Sequence, residues 1–209
     1  MPQLEFDPNT TPTGTYRPGK KRDANLQRIL NAAEQEFVSR GYRGATMQGI
    51  ADAAGLPKAN IHYYFKSKAN LYTTVLNNLL ELWNTQFSLI NPDDDPATAL
   101  DRFIREKVQL AYTHPRASKL FAMEVINGAP YLQGYLKTDV RAWVHDRAKV
   151  IQTWIDRKQM LPTDPVQLIF LIWSSTQHYA DFETQVLTIL DKPAYDQKTI
   201  NEIGNFLSQ

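Results

Sequence analysis

The sequence predicts an all-α protein, and three observations support this. Apolar residues recur at intervals of three and four positions from about residue 29 onward. Strand-like alternation of apolar and polar residues is absent. Breaks that contain proline or glycine divide the pattern into about eight or nine segments of helical length. The chain has 209 residues, of which 43% are apolar, so it can bury the core of one or two domains.

The first predicted helix follows a polar arm. Residues 1–22 hold four prolines among Asn, Thr and Gly and few apolar side chains, so we expect them to form a disordered arm. The apolar stripe from Ile29 to Phe37 then predicts a helix. Gly41 offers the left-handed cap that would end it.

Two short helices are predicted next. Thr46 has the hydroxyl group of an N-cap, and Gly55 ends the helix that Thr46 begins. The segment at residues 58–65 places Ile61 and Phe65 on one inward face. Two short helices joined by a glycine turn have the size and spacing of a helix-turn-helix, which presents the second helix to the major groove of DNA.

The rest of the chain is predicted to be a helical bundle. Residues 23–68 form one predicted domain and residues 69–209 a second. Ser67 is expected to cap a long helix that runs from Lys68 to about residue 87. After the Asp- and Pro-rich loop at residues 91–96, we expect helices at residues 97–113, 115–127, 132–159, 164–190 and 195–208.

Charge is distributed unevenly along the chain. Between Arg17 and Lys68 there are ten Lys and Arg against four Asp and Glu, whereas the whole chain has a net charge of +1. A basic module of this kind is typical of proteins that bind a polyanion, and a solvated basic face is the alternative.

Composition excludes several classes of function. The absence of cysteine rules out disulfides, thiolate catalysis and cysteine-based zinc sites. No segment is apolar enough to span a membrane and the N-terminus has no apolar signal core, which favours a cytoplasmic protein. His178 and Asp181, three positions apart, are expected to make an interhelical hydrogen bond rather than a metal site. No cofactor is expected.

The outer face of the predicted third helix carries residue types that read DNA. Lys58 can bond to guanine, Asn60 can pair with adenine, and Ala59 can contact a thymine methyl group. A core role for Tyr63 and Tyr64 is the alternative, although the inward positions are already filled. The predicted DNA-facing residues are Lys58, Ala59, Asn60, His62 and Tyr63, with Tyr64 and Lys68 beside them for phosphate contacts.

About 50 consecutive residues around these helices carry a larger motif: Phe37, Gly41-Tyr42-Arg43-Gly44-Ala45-Thr46, Ile50-Ala51, Ala54-Gly55-Leu56-Pro57-Lys58-Ala59-Asn60-Ile61-His62-Tyr63-Tyr64-Phe65 and Ser67-Lys68-Ala69-Asn70-Leu71. This block closely resembles the N-terminal DNA-binding domain of TetR-family repressors. The resemblance implies that the third helix reads bases and that Thr46, Tyr64 and Lys68 contact phosphates. His62 departs from the tyrosine that is frequent there in the family, which concerns its contact and not the fold.

Three later stretches carry a second motif: Ser118-Lys119-Leu120-Phe121-Ala122-Met123-Glu124, Gly128-Ala129-Pro130 and residues 168–182. They resemble the ligand-binding and dimerisation domain of pyrimidine-utilisation regulators within the same family. The resemblance implies a pocket for uracil or thymine that Trp83, Trp173 and Gln177 line. It also implies control of genes of pyrimidine and nitrogen metabolism.

The residues of the implied pocket have suitable chemistry. Trp173 and Gln177 are four positions apart and therefore share one helix face. A flat ring can rest against an indole, and the Gln177 amide offers the donor and the acceptor that an imide requires. The alternative is that Trp83 and Trp173 belong to the core and that Gln177 is a satisfied buried amide.

A palindromic operator requires a two-fold dimer. Two late helices are expected to pack against their copies, as in the family, and packing within one chain is the alternative. A ligand near Trp83 is expected to tilt the long helix and so change the separation of the two DNA readers. The residues expected at the interface are Leu168, Ile172, Leu187, Ile200, Ile203 and Leu207.

Two other functions are consistent with parts of the sequence. One is a regulator of the same architecture that responds to another flat polar ligand, or to no ligand. The other is an all-α carrier or enzyme with an incidental basic end. No glycine-rich phosphate loop, nucleophile elbow or zinc-binding helix pair occurs, and Glu106 and Glu124 are more typical of solvated or paired carboxylates, so we do not expect an enzyme.

Overall fold

In the computed structural model, residues 18–84 and 90–209 are described, with side chains for residues 22–81 and 90–209. Every regular element in these ranges is helical, which confirms the all-α prediction. The helices are α1 Pro18–Gly44, α2 Met47–Ala54, α3 Lys58–Tyr64, α4 Lys68–Asn84, α5 Pro96–Thr113, α6 Pro115–Ile126, α7 Gln133–Tyr135, α8 Arg141–Asp156, α9 Pro165–Asp181, α10 Glu183–Leu190 and α11 Gln197–Leu207.

The first helix begins earlier than the sequence predicts. It starts at Pro18, within the segment that we expected to be an arm, because proline fits the first turn of a helix. Residues 1–17 lie outside the described part of the chain. Gly41 has φ 65° and ψ 170° and interrupts the helix where the sequence predicts its end, but helical structure resumes up to Gly44.

Two later segments also differ from the prediction. The helix expected at residues 164–190 is divided at Phe182, whose φ of −111° and ψ of 28° are not helical. The Phe182 ring stacks on His178 at a centroid distance of 5.0 Å. No Gly or Pro marks this break, so the sequence carries no signal for it. A π-helical stretch, Leu136–Val140, lies between α7 and α8.

The buried apolar residues form three clusters. The first contains the inward faces of α1–α4, together with Ala117 and Leu120 of α6 and the segment around Leu132. The second surrounds Trp154 between α8 and α9, and the third joins α5, α9 and α11. The core of the predicted DNA-binding domain therefore continues into α4 and α6 and does not stop at residue 68.

Among the residues that the structure describes, no helix is both long and apolar enough to cross a membrane.

Candidate DNA-binding surface and effector site

The turn between α2 and α3 is built as the sequence predicts. The Thr46 hydroxyl accepts a hydrogen bond from the Gly49 amide at 2.9 Å, which confirms Thr46 as the N-cap. Gly55 ends α2 in the left-handed conformation with φ 61°, which favours glycine. Arg28 of α1 donates to the Ala54 carbonyl oxygen at 2.7 Å. These contacts fix the direction in which α3 leaves the turn.

Helix α3 is buried on one face and exposed on the other. Ile61 and Phe65 are buried in the first cluster, as predicted, and Leu56 packs against it from the turn. The Tyr63 side chain is 74% exposed, so it is not part of the core. The other residues predicted to face DNA lie on this outer side: Lys58, Ala59 and His62 are exposed, and Asn60 is half-buried.

Tyr64 and Lys68 hold α3 and the start of α4 against α1. The Tyr64 hydroxyl donates to the Arg22 carbonyl oxygen at 3.3 Å. The Lys68 ammonium donates to the carbonyl oxygens of Ala45 at 2.9 Å and Arg43 at 3.4 Å, and it lies 4.7 Å from the centroid of the Tyr42 ring. Both side chains thus have structural contacts within the chain, which sequence reasoning did not predict.

The predicted effector residues lie in the second half of the fold. Trp173 and Gln177 are both half-buried on α9. The Trp173 ring stacks on Trp143 of α8 at 5.7 Å and lies 5.8 Å from Phe170. Trp83 belongs to the last turn of α4, but its side chain lies outside the described part of the chain. The indole nitrogen of Trp173 is buried without a hydrogen-bond partner among the described residues.

A buried cation lies beside Trp173 that sequence reasoning missed. The Lys107 ammonium of α5 is 5.8 Å from the centroid of the Trp173 ring, and the residue is only 7% exposed. Burial lowers the pKa of Lys107 to about 7, and the negative charge of Asp181 acts in the opposite direction. The sequence does carry a signal, because Lys107 falls on the apolar face of α5, four positions after Phe103.

Asp181 connects this site to α6. Its carboxylate accepts a hydrogen bond from the Ser118 hydroxyl at 2.5 Å, which is the interhelical bond predicted for Asp181, whereas the His178 ring stacks on Phe182. Burial raises the pKa of Asp181, while the Ser118 hydrogen bond and the charges of Lys107, Lys119 and His178 oppose that rise. No group of three or more His, Cys, Asp or Glu that could hold a metal ion occurs among the described residues.

Helix α6 also contacts the DNA-binding half. Glu124, which is 4% exposed, accepts a hydrogen bond from the Tyr72 hydroxyl of α4 at 2.8 Å and another from the Tyr131 amide at 2.6 Å. Burial, followed by the hydrogen bond to Glu124, raises the pKa of Tyr72. Arg116 forms an ion pair with Glu34 of α1 at 3.7 Å. One helix thus contacts Asp181 on one side and the first cluster on the other.

The predicted interface residues are mostly used within the chain. Ile172, Ile200 and Ile203 are buried in the third cluster, and Leu168 and Leu207 pack against it. For Ile172, Ile200 and Ile203 the structure therefore favours the alternative of packing within one chain, whereas Leu168, Leu187 and Leu207 remain half-buried. A different apolar surface is exposed on α9 and α10, which we call the α9–α10 face: Phe170, Leu171, Phe182, Ile189 and Leu190.

Comparisons with known proteins agree with this geometry. Residues 29–75 match the family described as "Bacterial regulatory proteins, tetR family", and residues 76–209 match "YcdC-like protein, C-terminal region". The chain is 37% identical to the HTH-type transcriptional regulator RutR of Escherichia coli over 179 residues, which are 86% of this chain and 84% of the relative. Over 67 residues, or 31% of each chain, it is 43% identical to the HTH-type transcriptional activator FasR of Mycolicibacterium smegmatis.

Solved structures share the fold. AibR in complex with isovaleryl coenzyme A and operator DNA superposes with a TM-score of 0.66 at 16% identity, over 88% of this chain and 96% of that one. A TetR-like transcriptional regulator from Rhodococcus sp. RHA1 gives a TM-score of 0.65 at 16% identity, over 88% of this chain and 91% of that one. The matched relatives are transcriptional regulators and not enzymes. The chain therefore belongs to the TetR family of DNA-binding transcriptional regulators.

Proposed function

We propose that this regulator senses uracil, thymine or a related pyrimidine and controls genes of pyrimidine and nitrogen metabolism. The observation that carries the pyrimidine assignment is the arrangement of Trp173 and Gln177 on one face of α9, next to the stacked ring of Trp143. An aromatic wall beside an amide donor and acceptor suits a flat imide. The similarity to RutR supports it, and a regulator of bacterial genes would act in the cytoplasm.

The outer face of α3 is the proposed reader of operator bases. Because Ile61 and Phe65 anchor its inner face, the opposite side can enter the major groove without disturbing the core. In this assignment Lys58, Ala59, Asn60, His62 and Tyr63 face the bases. Thr46, Tyr64 and Lys68 are the proposed contacts to phosphate oxygens of the DNA backbone, in addition to the hydrogen bonds that they make within the chain.

A second copy of the chain is the proposed partner of the α9–α10 face. Leu171 is 63% exposed and Ile189 is 75% exposed, and TetR regulators act as dimers. Burial of such side chains against their copies would supply the hydrophobic contribution to association. The dimer would present two α3 helices to half-sites of a palindrome, one helical turn of about 34–36 Å apart or a multiple of it.

Helix α6 is the proposed connection between effector and DNA. It contacts Asp181 through Ser118 and contacts α4 through Glu124 and Tyr72. An effector that favours one position of α6 would therefore also favour one position of α4 and α3.

Titration of uracil by isothermal calorimetry, with and without operator DNA, tests the proposal. The operator is first selected from a random duplex pool by gel shift. We expect uracil to bind both forms with affinities that differ by about 5- to 150-fold, the usual range of allosteric coupling. Equal affinities would contradict the coupling, and no binding of uracil or thymine would contradict the pyrimidine assignment.

A further inference from the structure

We propose that Lys107 selects the chemical class of the effector: its ammonium donates a hydrogen bond to a ring carbonyl oxygen, so that the site prefers cyclic imides with two carbonyl groups to rings with one. This inference rests on the proposed function, because it concerns the same site beside Trp173 and Gln177.

The position of Lys107 supports a ligand contact. Lysine is seldom buried, because removing its ammonium from water is costly unless other groups compensate. Here the residue is 7% exposed and its ammonium lies over the indole ring of Trp173, which sequence resemblance places in the effector pocket. Asp181 supplies a charge opposite to that of Lys107, and its carboxylate also accepts a hydrogen bond from the Ser118 hydroxyl.

The hydrogen-bond donors beside Trp173 also indicate a ligand contact. The Trp173 indole N–H is a donor that is buried without a partner among the described residues. The Lys107 ammonium provides up to three donors and no acceptor. A ligand that lies between these groups and Gln177 would meet mainly donors on the Lys107 side, so it would have to present an acceptor there.

An imide meets this requirement with its second carbonyl oxygen. The Gln177 amide can pair with a ring N–H and with one adjacent carbonyl oxygen. A ring with a single carbonyl group satisfies that pair equally well. The carbonyl oxygen on the other side of the N–H is present only in the imide, and an ammonium donor would strengthen its hydrogen bond. Lys107 would therefore distinguish uracil from rings that lack one of its two oxygens.

The pKa of Lys107 adds an expectation about pH. Burial lowers this pKa to about 7, and a carbonyl acceptor favours the charged form. Uracil binding above pH 7 would therefore take up a proton, and its affinity would fall by up to about tenfold per pH unit as pH rises. Titratable groups on the surrounding helices include Glu106 on α5, Lys119 on α6, His178 and Asp181 on α9, and Glu183 on α10; of these, Asp181 carries the charge that acts on Lys107.

The test compares three probes by calorimetry at pH 6.5: uracil, 4-pyrimidinone and 2-pyrimidinone. We expect the wild-type protein to bind uracil at least about tenfold more tightly than either ring with one carbonyl group. In Lys107→Met, which keeps the length and loses the charge, the uracil affinity falls by about 10- to 100-fold and the other two change by less than about threefold. The preference for uracil is then nearly lost.

Two further variants separate specific from structural effects. Lys107→Arg stays charged and should retain a preference for uracil and lose the fall in affinity above pH 7. Circular dichroism and thermal unfolding check the fold of each variant, and Lys107→Gln replaces Lys107→Met if the latter does not fold. An unchanged ratio of affinities in the neutral variant overturns the role of Lys107, whereas failure of the wild type to bind any probe overturns the proposed pyrimidine function instead.

Discussion

The proposed DNA-reading surface and the proposed effector site are assembled in different ways. The DNA-reading surface is built from short, consecutive elements: Thr46, Gly55 and the residues of α3 follow one another along the chain. The effector site joins helices that are far apart in sequence, and Ser118 and Asp181 are 63 positions apart. Local spacing therefore specifies the first site, whereas the second depends on how α5, α6 and α9 pack.

The largest expected effect is on operator affinity, which we propose depends on dimerisation through the α9–α10 face. Leu171→Asp combined with Ile189→Asp places charges on the α9–α10 face, so we expect a monomer in multi-angle light scattering. Because a monomer binds one half-site without the benefit of the second, operator affinity should fall by about 100-fold or more. Leu161→Asp, at a residue that is 84% exposed in a loop, is the control and should stay dimeric. A dimer in the double variant would refute the assigned face.

The next effect separates the two sites. Lys58→Glu replaces a cation that we propose contacts bases with an anion, so operator affinity should fall by about 100-fold through the lost contact and the added repulsion. Uracil affinity without DNA should stay within about twofold. Gel shifts and calorimetry measure the two affinities. Lys198→Glu, which makes the same charge change on exposed α11, should leave operator binding nearly unchanged, and an equal loss there would indicate a nonspecific charge effect.

A smaller effect concerns the connection between the sites. Tyr72→Phe removes the hydroxyl that donates to Glu124, so we expect the effect of uracil on operator affinity to fall by about 5- to 10-fold. Both separate affinities should change less than this. Thr74→Ala, which removes an exposed hydroxyl of α4 that bonds to the carbonyl oxygen of Asn70 in the same helix, is the matched control. Full coupling in Tyr72→Phe would show that α6 acts through other contacts.

The smallest expected effect is on thermal stability, through the turn between α2 and α3. Gly55→Ala forces a side chain into φ 61° and brings its Cβ within 3.1 Å of the Arg28 guanidinium. We expect a cost of about 1 kcal/mol, and thus a fall in the thermal midpoint of roughly 2–4 °C. Differential scanning calorimetry measures it, with Ala53→Gly as a comparison within α2. A midpoint that rises in Gly55→Ala would contradict the strain at this turn.

Sequence alone predicted most of the fold, including the two short helices α2 and α3. The capping roles of Thr46 and Gly55 depend on their immediate neighbours, so they could be inferred before any packing was known. The break at Phe182 could not be inferred, because a non-helical residue without Gly or Pro is set by tertiary contacts. Trp173 and Gln177 were identified through the resemblance to pyrimidine-utilisation regulators, and their spacing places them on one helix face. Lys107 was not identified in this way, because its contact with the Trp173 ring joins two different helices.

The first hydrophobic cluster has a consequence for transplanting the reader into other proteins. Ala117 and Leu120 of α6 belong to the same core as α1–α3, so a fragment cut after residue 68 would lose part of its interior and expose apolar side chains to water. A chimaera that borrows this DNA specificity should carry the chain through Leu136 and exchange only the helices beyond it. The modular unit of this regulator is larger than its DNA-contacting helices.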